Sequence, residues 1–174
     1  QRTRPETFGA DPPYGPLERR DDVVVFRTKS LTEDLEIAGP IHVTLYASTT
    51  APDTDFTAKL IDEYPPSDEF TDGFALNLTD SICRARYRGN RNESDLVEPG
   101  EVYEYEFELY PTANVFKEGH RIRLDVSSSN FPRYDVNRNT GEELYGGRTG
   151  EVAENTLYHD SEYPTHVELP VLSE

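Results

Sequence analysis

Apolar and polar residues alternate with a period of two through much of this chain. Ile41, Val43, Leu45 and Ala47 alternate with His42, Thr44, Tyr46 and Ser48, and Tyr103, Tyr105, Phe107 and Leu109 with Glu104, Glu106 and Glu108. Ile122, Leu124 and Val126 alternate in the same way with Arg121, Arg123 and Asp125, and Val167, Leu169 and Val171 do so between His166 and Leu172. Period two marks a strand with one buried face. Val23–Phe26 is a short β-branched run, and Phe56–Asp62 and Phe74–Arg88 read as further strands, joined by a polar loop with Tyr64-Pro65-Pro66 and Asp72-Gly73. Pro99-Gly100 and Glu118-Gly119 are turn signals placed just before strands. No helix-sized window keeps a 3.6-residue period, although a short turn at Thr112–Phe116 is compatible with the pattern. About eight strands with short connections predict an all-β fold, an antiparallel β-sandwich.

The first 22 residues break this pattern. Pro5, Gly9, Pro12, Pro13, Gly15 and Pro16 oppose both helix and central strand, so 1–22 reads as an extended arm or linker and 23–174 as one sandwich domain. Phe8 and Tyr14 give the arm two aromatic side chains, and Tyr134–Asn155, rich in Asn, Gly and Glu, reads as a long loop. A chain of 174 residues can bury a core without disulfides or metals. Its one cysteine, Cys83, cannot form an internal bridge, which suits a reducing, cytoplasmic compartment. No apolar run approaches the roughly 20 residues that cross a bilayer, and the N-terminus lacks a signal peptide's apolar centre. With no initiator methionine, the sequence reads as part of something longer.

A net charge of −17 disfavours nucleic acid and anionic membrane surfaces as partners. It suits either a protein adapted to high salt, where screening suppresses self-repulsion, or an ordinary acidic domain made soluble by its charge. On the predicted outer faces, Arg84, Arg86 and Arg88 share one strand face, Glu104, Glu106 and Glu108 another, and Arg121 and Arg123 a third. Neighbouring strands would then meet in opposite-charge ladders, each exposed pair worth about 0.2–1 kcal/mol. A phosphate or carboxylate site built on the arginines is the functional alternative.

Four segments, in order along the chain, carry a family resemblance: Ala51-Pro52-Asp53-Thr54-Asp55-Phe56-Thr57-Ala58-Lys59-Leu60, Leu76–Arg88, Ala113–Leu124, and Val126-Ser127-Ser128-Ser129-Asn130-Phe131-Pro132-Arg133-Tyr134-Asp135 with its continuation to Gly141. Together they resemble the C-terminal domain of the X-Pro dipeptidyl-peptidase and cocaine-esterase-like (CocE/NonD) serine hydrolases, over about Gly15 to Pro170. The resemblance implies a jelly-roll sandwich similar to galactose-binding domains. It also implies that the chemistry belongs to a separate α/β-hydrolase catalytic domain of the same parent protein, whose nucleophilic serine sits in a G-x-S-x-G elbow. No G-x-S-x-G occurs here. The expected role is therefore non-catalytic: bracing the hydrolase domain, helping wall its substrate cleft, and contributing to any homo-oligomer. The rival is a stand-alone carbohydrate- or ligand-binding jelly roll, whose tyrosines would stack on sugars.

The candidate interdomain or cleft-facing residues are Asn130, Phe131, Arg133, Tyr134 and Asp135, in the loop after a strand, with Asp53 and Asp55. Tyr and Arg are common interface anchors, yet Asn130 and Asp135 also suit Asx turns that satisfy the loop's own backbone. Asp53-Thr54-Asp55 admits a backbone-capping turn, an ion pair from Asp55 to an arginine such as Arg133, or a calcium ligand set. Ser127–Ser129 with His120, His159 and Asp125 supply the residue types of a triad but no strand-to-helix elbow or helix N-terminus for an oxyanion hole. His42, His120, His159 and His166 lack zinc spacing, so neither metal nor cofactor is expected. Asn77-Leu78-Thr79 and Asn92-Glu93-Ser94 match glycosylation acceptors, which matter only in a secretory pathway.

Overall fold

The computed structural model describes residues 17–143 and 149–172. Most of the predicted arm, with Phe8 and Tyr14, lies outside the described residues, as does part of the predicted long loop. Among the described residues the helical pieces are two 3-10 turns, η1 (Leu17–Arg19) and η2 (Ala85–Tyr87), and no helix is long and apolar enough to cross a membrane.

Eight strands form two antiparallel sheets: β1 (Val23–Arg27), β2 (Leu35–Thr49), β3 (Asp55–Tyr64), β4 (Phe74–Arg84), β5 (Tyr103–Phe116), β6 (Arg121–Ser127), β7 (Asn155–Tyr158) and β8 (His166–Glu168). One sheet has the order β1-β6-β3-β4; in the other, β5 lines one edge of β2 while β7 and β8 share the opposite edge. The chain changes sheet at every connection except β3–β4 and β7–β8, the connectivity of a jelly-roll sandwich. The alternation places the core where it predicts: Ile41, Val43, Leu45, Ala47, Tyr105, Phe107 and Leu109 from one sheet meet Phe56, Ala58, Leu60, Leu124 and Val126 from the other, and all are buried. Phe56 and Tyr105 join the sheets directly, with ring centroids 4.7 Å apart.

Four expectations are corrected. Thr112–Phe116 is strand, not turn: Gly39 pairs with Thr112 but Ile41 with Leu109, so β5 carries a bulge that switches which residues point inward. After it Val115 is exposed and Phe116 buried, which hides the strand from a period-two search. β4 stops at Arg84 because Ala85 and Arg86 leave the ladder to donate their backbone N–H groups to Thr54 O and Asp53 Oδ1. The final strand covers only His166–Glu168, with Val171 making an isolated bridge to Ile37. Finally, the opposite-charge ladders do not form: Glu104, Glu106 and Glu108 face Tyr46, Thr44 and His42 across β2, and Arg86 and Arg88 do not extend β4.

Candidate interdomain site at the loop after β6

Asp53 and Asp55 lie where β2 hands over to β3, and both are buried, at 0% and 1% exposure. A carboxylate is excluded from such a place unless every oxygen is paired. Asp53 accepts the backbone N–H of Arg86 at 3.0 Å and its Nε at 2.8 Å, while Asp55 takes Arg84 in a two-pronged contact at 2.9 and 3.0 Å. The Asn137 side-chain amide then donates to both carboxylates, at 2.8 Å each. Asp55 drives the Arg84 guanidinium further up from its already high range through hydrogen bonds and charge, while burial raises the Asp55 carboxyl against the opposing pull of Arg84 and Asn137. The partner of Asp55 is thus Arg84 rather than Arg133, because β3–β4 register sets Asp55 opposite Arg84. A calcium ion would have to displace all these donors, and no group of three or more His, Cys, Asp or Glu suited to a metal occurs among the described residues.

Asn137 belongs to the loop that follows β6, and the same loop is tied down at three further points. Asn130 donates to Asp80 at 3.1 Å, Arg133 Nε lies 2.7 Å from the other Asp80 oxygen, and Asp135 reaches Arg84 at 3.3 Å. The Arg133 guanidinium sits 5.5 Å from the Tyr110 ring centroid and 5.7 Å from that of Tyr134. Residues 130–137 are therefore fixed from beneath by β3 and β4. Their outer side nevertheless presents Phe131 at 62% and Val136 at 52% exposure. Of the seven candidates, Phe131, Arg133 and Asp135 are exposed, Tyr134 is half-buried, and Asn130, Asp53 and Asp55 are internal supports. Asn137 escaped the sequence reading because a lone asparagine in a polar loop carries no periodic signal.

Beside this loop, on the open side between edge strands β4 and β5, lies a cleft of about 590 Å³ lined by Tyr87, Arg88, Arg91, Glu106, Tyr110 and Tyr134, among others. Cys83 lines its inner wall, and burial pushes the thiol up to about 12.

The serines do not assemble a catalytic centre. Ser127 exchanges a hydrogen bond with Thr57 at 2.8 Å, and Ser128 accepts one from Asn155 at 2.7 Å. His120 stands at the other end of β6, a strand length of roughly 20 Å away, where Nδ1 meets Asp62 at 2.8 Å. His159 packs on Phe26, and Asp125 is held by Arg123.

Residues 3–168 match the family described as the X-Pro dipeptidyl-peptidase C-terminal non-catalytic domain. Cocaine esterase of Rhodococcus sp. (strain MB1 Bresler) is 43% identical over 159 residues, which is 90% of this chain and 27% of the esterase. An α-amino acid ester hydrolase superposes with a TM-score of 0.86 at 33% identity over 93% of this chain and 27% of its own. An aminopeptidase from the marine sediment archaeon Thaumarchaeota archaeon gives 0.85 at 33% identity, over 90% of this chain and again 27% of its own. The chain thus spans about a quarter of the length of these relatives, and it belongs to the X-Pro dipeptidyl-peptidase C-terminal non-catalytic domain family.

Proposed function

We propose that this domain serves an α/β-hydrolase-type serine hydrolase, an acyl esterase or X-Pro dipeptidyl-peptidase, by docking on its catalytic domain through the loop after β6 and helping to wall the substrate cleft. One observation carries the reading: a loop fixed by four anchoring residues presents Phe131 and Val136 to solvent. Rigid support under exposed apolar groups lowers the ordering cost of binding, as a docking surface requires. The names of the relatives, an esterase, an ester hydrolase and an aminopeptidase, supply the reaction class. In the full-length protein, Phe131→Asp with Val136→Asp lowers esterase or Xaa-Pro amidase activity at least tenfold and exposes the domain junction to protease. Unchanged activity and unchanged protection would remove this loop from the interface.

A second reading draws on the 590 Å³ cleft, where Tyr87, Tyr110 and Tyr134 stand beside Arg91. Stacking faces with polar neighbours suit a sugar or another small polar ligand. Titration of the isolated chain with mono- and disaccharides, read by Tyr110 and Tyr134 resonances, tests it; no perturbation at millimolar sugar would exclude it.

A further inference from the structure

Strand alternation sends Arg123 toward solvent, yet its side chain is only 1% exposed. It sits mid-sheet on β6, with Arg27 of β1 and Ile61 of β3 as its cross-strand neighbours. Its Nε and Nη2 hold Asp125 at 2.6 and 2.7 Å, which leaves Nη1 to donate to Glu18 Oε2 at 3.0 Å. Arg27 spends Nε on Glu63 at 2.7 Å and turns Nη2 to the same Glu18 oxygen. Two guanidinium groups opposite each other on a ladder repel unless an anion lies between them. The sheet's own carboxylates, Asp125 and Glu63, occupy the outer prongs of the two arginines. Glu63 Oε2 also approaches Arg123 Nη1, at 3.6 Å, but the anion hydrogen-bonded to both arginines comes from η1, a three-residue turn ahead of the first strand.

The receptor is thus built by the sheet, while its occupant rides on a short peripheral segment. A cleft of about 470 Å³ opens beside it, walled by Tyr64, Pro65, Pro66 and Arg121 with Glu63 and Asp72 among its other lining residues, so the position is reachable from solvent. We propose that Arg27 and Arg123 form a carboxylate-binding site which Glu18 fills in cis, so that η1 is an exchangeable latch whose place a small monocarboxylate takes when it lifts. Monodentate carboxylates suit the single shared position, and apolar or aromatic substituents suit the Tyr64–Pro66 wall.

The test uses acetate on the isolated chain, with chloride at equal ionic strength as control, and is independent of the docking loop. Glu18→Ala vacates the site: acetate at about ten times its dissociation constant raises the thermal midpoint of that variant by roughly 3 °C more than chloride does, and leaves the parent chain unmoved. Tryptic cleavage after Arg19 and Arg20 is at least tenfold faster in Glu18→Ala, and high acetate accelerates it in the parent. Glu18→Ser, which also removes the carboxylate and shortens the side chain, carries the same test should Glu18→Ala not fold. Equal responses to acetate and chloride, with cleavage unchanged by the substitution, would overturn the proposal and leave Glu18 an ordinary ion pair.

Discussion

Arg86 Nε lies 2.8 Å from Asp53 Oδ2, and the two side chains are only 7% and 0% exposed. A pair so far from water fixes η2 to the start of β3, and with Asn137 it carries the loop after β6. Removing one partner strands the other charge. Asp53→Ala is therefore expected to cost about 3–5 kcal/mol in urea unfolding. It also raises hydrogen exchange across residues 130–139, whereas an unsupported loop would exchange at the same rate in both proteins.

Asn137→Ala tests the loop's anchor without touching a charge. It takes the shared amide from two buried carboxylates and should lower stability by about 1–3 kcal/mol. Proteolysis between Phe131 and Asn139 is expected to accelerate while cleavage elsewhere is unchanged.

Phe131→Ser is the complement. Because Phe131 is 62% exposed, the isolated chain should keep its stability to within about 0.5 kcal/mol, measured by the same urea midpoint. A larger loss would mean that the ring packs within the domain and is not offered to a partner.

Cys83 makes an alkaline prediction. Its thiol is raised from 9.0 to about 12 chiefly by burial, so between those values the unfolded chain loses a proton that the folded chain keeps. Unfolded protein then binds fewer protons and stability falls as pH rises from about 9 toward 12. Tyr105, also raised by burial, acts in the same sense. Urea midpoints at pH 8 and pH 10.5 should separate more for the parent chain than for Cys83→Ala, and native Cys83 should alkylate far more slowly than the urea-unfolded thiol.

Gly73 adopts φ +79°, and a Cβ there would lie 2.7 Å from the Tyr64 carbonyl oxygen. Gly73→Ala should cost about 1–3 kcal/mol through backbone strain, read as a lower urea midpoint.

The sandwich was legible where alternation is regular, in Ile41–Ser48, Tyr103–Leu109 and Ile122–Val126, because each strand buries one face and the register preserves it. A bulge erased the signal beyond Tyr110, and side-chain traffic ended β4 where composition still read as strand. The charged positions were the least legible. Arg123 and Asp125 have solvent-facing parity but are buried by each other and by Glu18, a long-range arrangement that periodicity does not encode. In the candidate site, the motif residues were visible as residue types. The separation into supports (Asp53, Asp55, Asn130, Arg133) and presented groups (Phe131, Val136) depends on which carboxylate each donor reaches, and that emerges only when β3 and β4 pair.

The most direct measurement of the central claim treats this chain and the full-length parent protein with a serine-reactive phosphonate probe, alongside ester and Xaa-Pro amide hydrolysis. Labelling and turnover confined to the longer protein are predicted. Stoichiometric labelling and turnover by the isolated chain would contradict a non-catalytic domain, and would make Ser127, Ser128 and Ser129 the first residues to replace.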